Sequence, residues 1–341
     1  MNQNEYYYRR VIGAVGTALL FFLLFINTFG VIIAFFPVLF SLLPIGETAA
    51  TVLYQLVYAA GYLLSFMLPV PILKRMIQKQ GLTYHPMRAE MKLSPRSFLI
   101  IPAGIAVVYS AAYVNAAFVS IFQYSAFSSE VLWGSTEVLP QPFEWVLEFI
   151  VLCIVPGFCE EFLFRGAILT NCLPFGRSNA IMISAFLFAM MHQNAEQILY
   201  TFAAGIVLGI VYEMTGNLWA CTFLHIANNF FSLYQSAIAL KFRQMLASTV
   251  AVAVVESVLF LIGVISVAIL VVRLFSHKTE LRDGFFGKTI PAADGYATYP
   301  VATKRAVRLF LTPTMTIFLV ISVLQMIFWM GMAVLYGIFA G

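Results

Sequence analysis

Long apolar runs restrict the fold of this chain more than any other feature of its sequence. Residues 11–40 contain no charged side chain, and eight further apolar runs follow along the 341 residues. A membrane-spanning helix needs about 20 consecutive, mostly apolar residues. Charged residues make up only 10% of the chain, against about 25% in an average soluble domain. The sequence therefore excludes a soluble globular protein and predicts an all-α, polytopic transmembrane helical bundle.

The runs predict about nine spans, with eight as the alternative. The predicted spans cover residues 11–40, 49–73, 98–122, 143–172, 179–193, 197–215, 217–240, 249–275 and 308–339. The first and last runs are longer than a bilayer requires, so we expect these helices to tilt, or to kink at Gly30 or Pro313.

Basic residues are placed unevenly between the loops, which predicts the orientation of the bundle. The loops 74–97 and 276–307 are rich in Lys and Arg, whereas the loops 41–48 and 123–142 contain neither. Loops that remain in the cytoplasm carry the excess of basic residues. A nine-span chain with a cytoplasmic amino terminus puts both basic loops on that side, and a basic pair after the seventh span is the exception.

Charge and loop length also predict the surroundings of the protein. The formal net charge of +4 is small and dispersed, so we expect the lipid bilayer and no nucleic acid as its partner. The short loops and an ending unlike the K-D-E-L retention signal favour a multi-pass integral membrane protein of a bacterial plasma membrane.

A few small and polar residues within the runs predict how the helices pack. Gly205 and Gly209 form a G-x-x-x-G pattern, which is typical of closely packed membrane helices. Asn27, Asn115 and Gln325 are expected to form hydrogen bonds between helices, since an unpaired amide is unfavourable in lipid.

The fourth run contains three ionisable side chains, in the segment PGFCEEFLFRG. Ionisable residues inside apolar helices are costly and mark either a functional site or a buried ion pair. Glu161 and Arg165 are four residues apart and share a helical face, so we expect them to pair. Glu160 points about 100° away, which leaves one carboxylate available for proton chemistry. A purely structural ion pair is the alternative interpretation.

Two further runs carry histidine at corresponding depths. His192 follows Phe188 by one helical turn in the fifth run, and His225 precedes Asn229 by one turn in the seventh. Either histidine alone is compatible with a hydrogen-bonded structural role. Three separate helices that each carry groups suited to catalysis or metal binding predict a common site below the cytoplasmic surface.

These residues form an ordered set of motifs that resembles the CPBP family. The motifs read Glu160-Glu161-x-x-x-Arg165, Phe188-x-x-x-His192 and His225-x-x-x-Asn229 in that order on successive hydrophobic segments. The family groups type II CAAX prenyl endopeptidases with bacteriocin-processing and immunity proteins. The domain that they share is also called the Abi domain.

The resemblance implies an intramembrane endopeptidase that opens to the cytoplasm and cleaves a peptide or protein substrate. By position, Glu160 would be the general base that activates a water molecule, with help from His192. His225 and Asn229 would stabilise the oxyanion or hold the water, and Arg165 would orient the glutamates with Glu161 as its partner.

The resemblance divides the chain into three parts. Residues 1–142 contain the first three spans, and residues 143–240 form a CPBP-like catalytic core of four spans. Residues 241–341 contain the last two spans with the cytoplasmic loop 276–307 between them.

Two other functions remain open from the sequence. A non-catalytic membrane scaffold or chaperone would bind a partner enzyme in the membrane and could retain the same motifs. A transporter or proton relay would also use intramembrane carboxylates, although the sequence shows no inverted repeat of the kind found in transporters.

The sequence leaves open whether a metal takes part. Glu160, His192 and His225 would suit Zn²⁺ with an open fourth position, but the chain has no H-E-x-x-H motif and a Glu–His pair can activate water without a metal. We predict metal-independent activation, so protein purified from cells grown with a chelator should contain no stoichiometric zinc by elemental analysis. One equivalent of zinc per chain would contradict this prediction.

Overall fold

The structure is a computed structural model that describes most, but not all, of the chain. It describes residues 1–89, 101–108, 110–111, 115, 142–246, seven positions between 254 and 265, 301 and 303–340. All regular structure in these residues is helical and they contain no strand. This confirms the predicted all-α class.

Four helices form the amino-terminal part: α1 (Gln3–Ala34), α2 (Phe36–Ser41), α3 (Glu47–Met67) and α4 (Pro69–Lys79). Asn2 and Glu5 form a capping box that satisfies free backbone N–H groups where α1 begins. The helix α1 is not interrupted at Gly30. The break lies at Phe35 instead, just before Pro37, whose ring cannot continue the hydrogen bonding of the preceding turn.

The central segment follows one helical path with two wider turns. It contains α5 (Pro142–Glu148), a π-helical turn (Phe149–Ile154), α6 (Val155–Glu161), a second π-helical stretch (Phe162–Leu169), α7 (Thr170–Cys172) and a 3₁₀ turn (Leu173–Phe175). The predicted fourth span is thus helical from end to end, and the π-helical turns are a feature that the sequence did not indicate.

Side chains satisfy carbonyl groups within the second π-helical stretch. Ser184 donates to the carbonyl of Phe164 at 3.0 Å, and Thr170 donates to the carbonyl of Arg165 at 2.9 Å. Irregular turns need such partners where no water is available. The stretch begins directly after Glu161, and π-helical turns are frequent at functional sites.

Three helices complete the core: α8 (Arg177–Met191), α9 (Ile198–Thr215) and α10 (Leu218–Leu246). The predicted close packing of the G-x-x-x-G pattern is confirmed. A Cβ atom at Gly205 would lie 2.8 Å from the Cα of Ala185, and one at Gly209 would lie 3.0 Å from the side chain of Ile181. The glycines therefore allow the backbones of α8 and α9 to approach.

The carboxy-terminal helices, α11 (Thr303–Phe310) and α12 (Pro313–Ala340), return to α1. The helix break before Pro313 confirms the kink expected there. Thr314 donates to the carbonyl of Gly13 at 2.8 Å, and Gln325 donates to Asn27 at 2.8 Å. The second contact confirms the predicted role of these two amides in joining helices.

Four helical stretches are long and apolar enough to cross a membrane: Gln3–Ser41, Glu47–Lys79, Ile198–Thr215 and Pro313–Met332. The predicted third span is helical at residues 101–108, and nearly all of the predicted eighth span, 249–275, lies outside the described residues. The count of nine spans, the cytoplasmic amino terminus and the three-part division therefore stay predictions.

The contact between α8 and α9 gives a test of this packing. Gly205→Ala places a methyl group against the backbone of Ala185, and overpacking of this kind costs about 1–3 kcal/mol. Gly331→Ala is the matched control, because nothing lies within 4 Å of a Cβ atom there. Thermal unfolding in detergent can be followed with a maleimide dye, since Cys153, Cys159, Cys172 and Cys221 are all free and buried. Equal midpoints for the two variants would contradict the described packing.

Candidate active site

Four ionisable side chains are buried together in the core. The exposed fraction is 4% for Glu160, 5% for His225 and 0% for Glu161 and Arg165. Charged groups are almost never buried to this extent unless they are paired. Residues from the central segment and from α10 therefore meet in one cluster, as the sequence predicted.

Glu161 is the centre of this cluster. Its Oε1 atom accepts hydrogen bonds from Nη1 of Arg165 and from Nδ1 of His225, both at 2.8 Å. Arg165 also donates from Nη2 to the carbonyl of Gly205 in α9 at 3.0 Å. The predicted Glu161–Arg165 pair is confirmed, and it joins the central segment to α9 and α10.

Glu160 has different surroundings from its neighbour. The hydroxyl of Tyr62 in α3 donates a hydrogen bond to its Oε1 atom. Its Oε2 atom lies 3.8 Å from Nε2 of His225, a separation too long for a direct hydrogen bond. Among the described residues, three buried polar atoms of the cluster have no hydrogen-bond partner: Oε2 of Glu160, Oε2 of Glu161 and Nε of Arg165.

The ring of Phe188 connects His192 to the cluster. Its centroid lies 4.5 Å from Cζ of Arg165, 4.8 Å from the ring centroid of His192 and 5.8 Å from that of His225. The Nδ1–H group of His192 donates to the carbonyl of Phe188 at 2.8 Å. This bond fixes the tautomer, so Nε2 is the nitrogen of His192 that remains available for proton transfer.

Asn229 lies one helical turn beyond His225 but is linked to other partners. Its Oδ1 atom accepts from the amide of Asn228 at 3.4 Å, and Tyr200 donates to Oδ1 of Asn228 at 2.6 Å. The contact described for Asn229 is thus with Asn228, not with the glutamates. Asn115, one of the amides expected to form hydrogen bonds between helices, donates to the carbonyl of Glu196 at 2.7 Å.

Residues 82–89 form an extended segment that contacts the end of α9, the start of α10 and Asn171 in α7. Asn171 accepts from the backbone N–H of His85 at 2.8 Å, and Arg88 forms an ion pair with Glu213 at 2.7 Å. The Arg88 carbonyl accepts from the N–H of Leu218 at 2.8 Å. Partial burial lowers the pKa of His85, because the charged imidazolium is less well solvated there. The segment ties three core helices to α4.

Tyr62 is the residue that sequence reasoning missed. It belongs to the second predicted span, 49–73, which contains no charged side chain. Tyr54, Tyr58 and Tyr62 recur every four residues in this run, which places three hydroxyl groups on one face of an apolar helix. That periodicity is the signal from which a polar face towards the site could have been inferred.

The proposed metal donors have the orientation that zinc ligands use, although three of them do not come together. No group of three His, Cys, Asp or Glu side chains in the described part of the chain is arranged so that it could hold a metal ion. Glu160 and His225 are in contact, and Nδ1 of both His192 and His225 is bonded to an oxygen, which leaves Nε2 of each as the possible ligand. Metal-independent activation therefore stays a prediction, and no step below is assigned to a metal.

Part of the chain is similar to a known family of membrane peptidases. Residues 142–231 match the family model described as Type II CAAX prenyl endopeptidase Rce1-like. This segment contains all six predicted site residues, and the match confirms the resemblance to the CPBP family. No curated protein and no solved structure matches the chain.

The Arg165 contacts predict a large loss of stability when this side chain is replaced. Arg165→Met leaves Glu161 as a buried carboxylate without its cation, and breaking such a pair costs about 3–5 kcal/mol. Arg177→Met is the control, because Arg177 is 40% exposed in its pair with Glu213 and such pairs contribute up to about 1 kcal/mol. The free energy of unfolding is measured by SDS titration in mixed micelles. Similar losses for the two variants would refute a special role of the buried pair.

Proposed function

We propose that this protein is an intramembrane endopeptidase that hydrolyses a peptide bond in a membrane-associated or lipidated substrate. One observation carries the proposal: the buried Oε2 atom of Glu160 faces Nε2 of His225 at 3.8 Å. A single water molecule can bridge two polar atoms at this separation. A carboxylate and an imidazole that share one water are the groups needed to activate it for attack on an amide.

The charges of the cluster support a mobile proton at this position. Two ionised glutamates and Arg165 carry a net charge of −1, and a buried net charge is unfavourable. One additional proton on the Glu160–His225 pair makes the cluster neutral. Nδ1 of His225 already donates to Glu161. With the additional proton on Nε2 of His225, Glu160 is left as the carboxylate that can accept a proton from water.

Hydrolysis then follows from proton transfers between these groups. Glu160 accepts a proton from the water molecule while the water oxygen attacks the carbonyl carbon of the substrate. The tetrahedral intermediate collapses when the proton is delivered to the leaving nitrogen and the C–N bond breaks. A new carboxyl group and a new amino group are the products, and the side chains return to their starting state.

The remaining predicted residues would assist this reaction. The Nε2–H group of a protonated His225 can donate to the developing oxyanion, which is often the largest contribution to such catalysis. The carbonyl oxygen of Asn229 is engaged by Asn228, so its amide hydrogens are left as donors towards substrate. His192 has one nitrogen available and would relay the proton to or from Glu160.

Glu160→Gln is the direct test of the proposal. Gln retains a side-chain oxygen for Tyr62 but cannot accept the proton, so we expect turnover to fall by about 100-fold or more. Mass spectrometry of membranes from expressing cells should then show a precursor that accumulates with Glu160→Gln but not with wild-type protein. That comparison would also identify the substrate.

Glu47→Gln is the matched control for this experiment, because Glu47 is an exposed carboxylate at the start of α3. Its membranes should match those of the wild type. If Glu160→Gln and Glu160→Ala leave every phenotype and every peptide unchanged, the protein is not a peptidase and the scaffold function is favoured.

A further inference from the structure

The side chain that holds Glu160 comes from outside the segment that matches the peptidase family. Tyr62 lies on α3, 98 positions before Glu160, whereas the match covers residues 142–231. We propose that Tyr62 is a positioning residue: its hydroxyl anchors Oε1 of Glu160 so that Oε2 is directed at His225. This inference rests on the proposed function, because it assigns Tyr62 a part in the same reaction.

The tyrosine ring is held on both sides, which gives its hydroxyl a fixed location. The ring stacks on Phe66 with a centroid separation of 4.7 Å and on Tyr58 with a separation of 6.0 Å. Phe66 is itself buried against Phe22 of α1 at 4.7 Å. An aromatic side chain has only two rotatable bonds. Here the rings one turn before and one turn after Tyr62 on α3 restrict both, and α1 supports one of these rings through Phe22.

Anchoring matters because the two oxygens of a carboxylate are chemically equivalent. In the described residues, Tyr62 is the hydrogen-bond partner of Oε1 of Glu160, whereas Oε2 has no hydrogen-bond partner and lies 3.8 Å from Nε2 of His225. Without the anchor, the group can rotate and either oxygen can turn away from His225. A displacement of about 1 Å in a catalytic group can reduce the rate by about 100-fold.

The neighbouring glutamate shows what the anchor provides. Glu161 is held by a guanidinium and an imidazole at 2.8 Å each, so both partners are cations or can become cations. Glu160 is instead held by a neutral hydroxyl. A neutral donor fixes the position of the carboxylate without adding a positive charge that would compete with the proton taken from water.

Tyr62→Phe separates this role from simple packing, since it removes only the hydroxyl and retains the ring. Tyr58→Phe is the matched control. Tyr58 lies one turn earlier on the same helix and interacts electrostatically with Glu160, but the hydrogen bond described for Glu160 comes from Tyr62. Both variants should have the thermal midpoint of the wild type within a few degrees.

The first measurement is kinetic and uses the full-length protein in nanodiscs with the precursor that accumulates with Glu160→Gln. For Tyr62→Phe we expect kcat to fall on the order of tenfold or more with KM within about twofold, because the lost hydrogen bond is to a charged group. Tyr58→Phe should retain both parameters. A kcat unchanged by Tyr62→Phe, or an equal loss in both variants, would overturn the proposal.

The second measurement does not depend on activity. Infrared difference spectra of the same nanodiscs contain the carboxyl band of Glu160, which is assigned by its loss in Glu160→Gln. Removing the hydrogen bond should shift this band in Tyr62→Phe and leave it in place in Tyr58→Phe. An unshifted band in Tyr62→Phe would refute the contact. A shifted band, together with no precursor accumulating in Glu160→Gln membranes, would retain the contact but reject the peptidase function.

Discussion

The burial of Arg165 is the constraint on which the rest of the core depends. A guanidinium cannot lose its charge, so every helix around it must supply an acceptor or a π face. Glu161 supplies a carboxylate, α9 supplies the Gly205 carbonyl and α8 supplies the ring of Phe188. Because Glu161 also accepts from His225, one side chain determines the relative positions of the central segment, α8, α9 and α10.

Two adjacent glutamates thereby acquire different properties. One oxygen of Glu161 accepts hydrogen bonds from two strong donors, and the side chain is fully buried. Glu161 is therefore a structural counter-ion of Arg165. Glu160 is rotated towards α3 and approaches a nitrogen of His225 without a direct hydrogen bond. The helical rotation of about 100° per residue is enough to separate a residue that stabilises the fold from one that can exchange a proton.

The sequence predicted those parts of the site that depend on local spacing. Glu161 and Arg165 are four residues apart, and the pair formed as the helical period requires. The Tyr62 contact crosses 98 positions between two apolar helices, and apolar runs do not specify which faces meet. The first apolar run is interrupted at Phe35, where the nearby Pro37 removes a backbone hydrogen bond.

The pairing of α1 with α12 has a consequence for biogenesis. Gly13 accepts from Thr314 and Asn27 accepts from Gln325, so α1 meets these partners only after about 300 further residues have been translated. Until then, the Gly13 carbonyl and the Oδ1 atom of Asn27 lack these donors. A chain that ends before α12 would therefore lack the contacts that join its first and last helices.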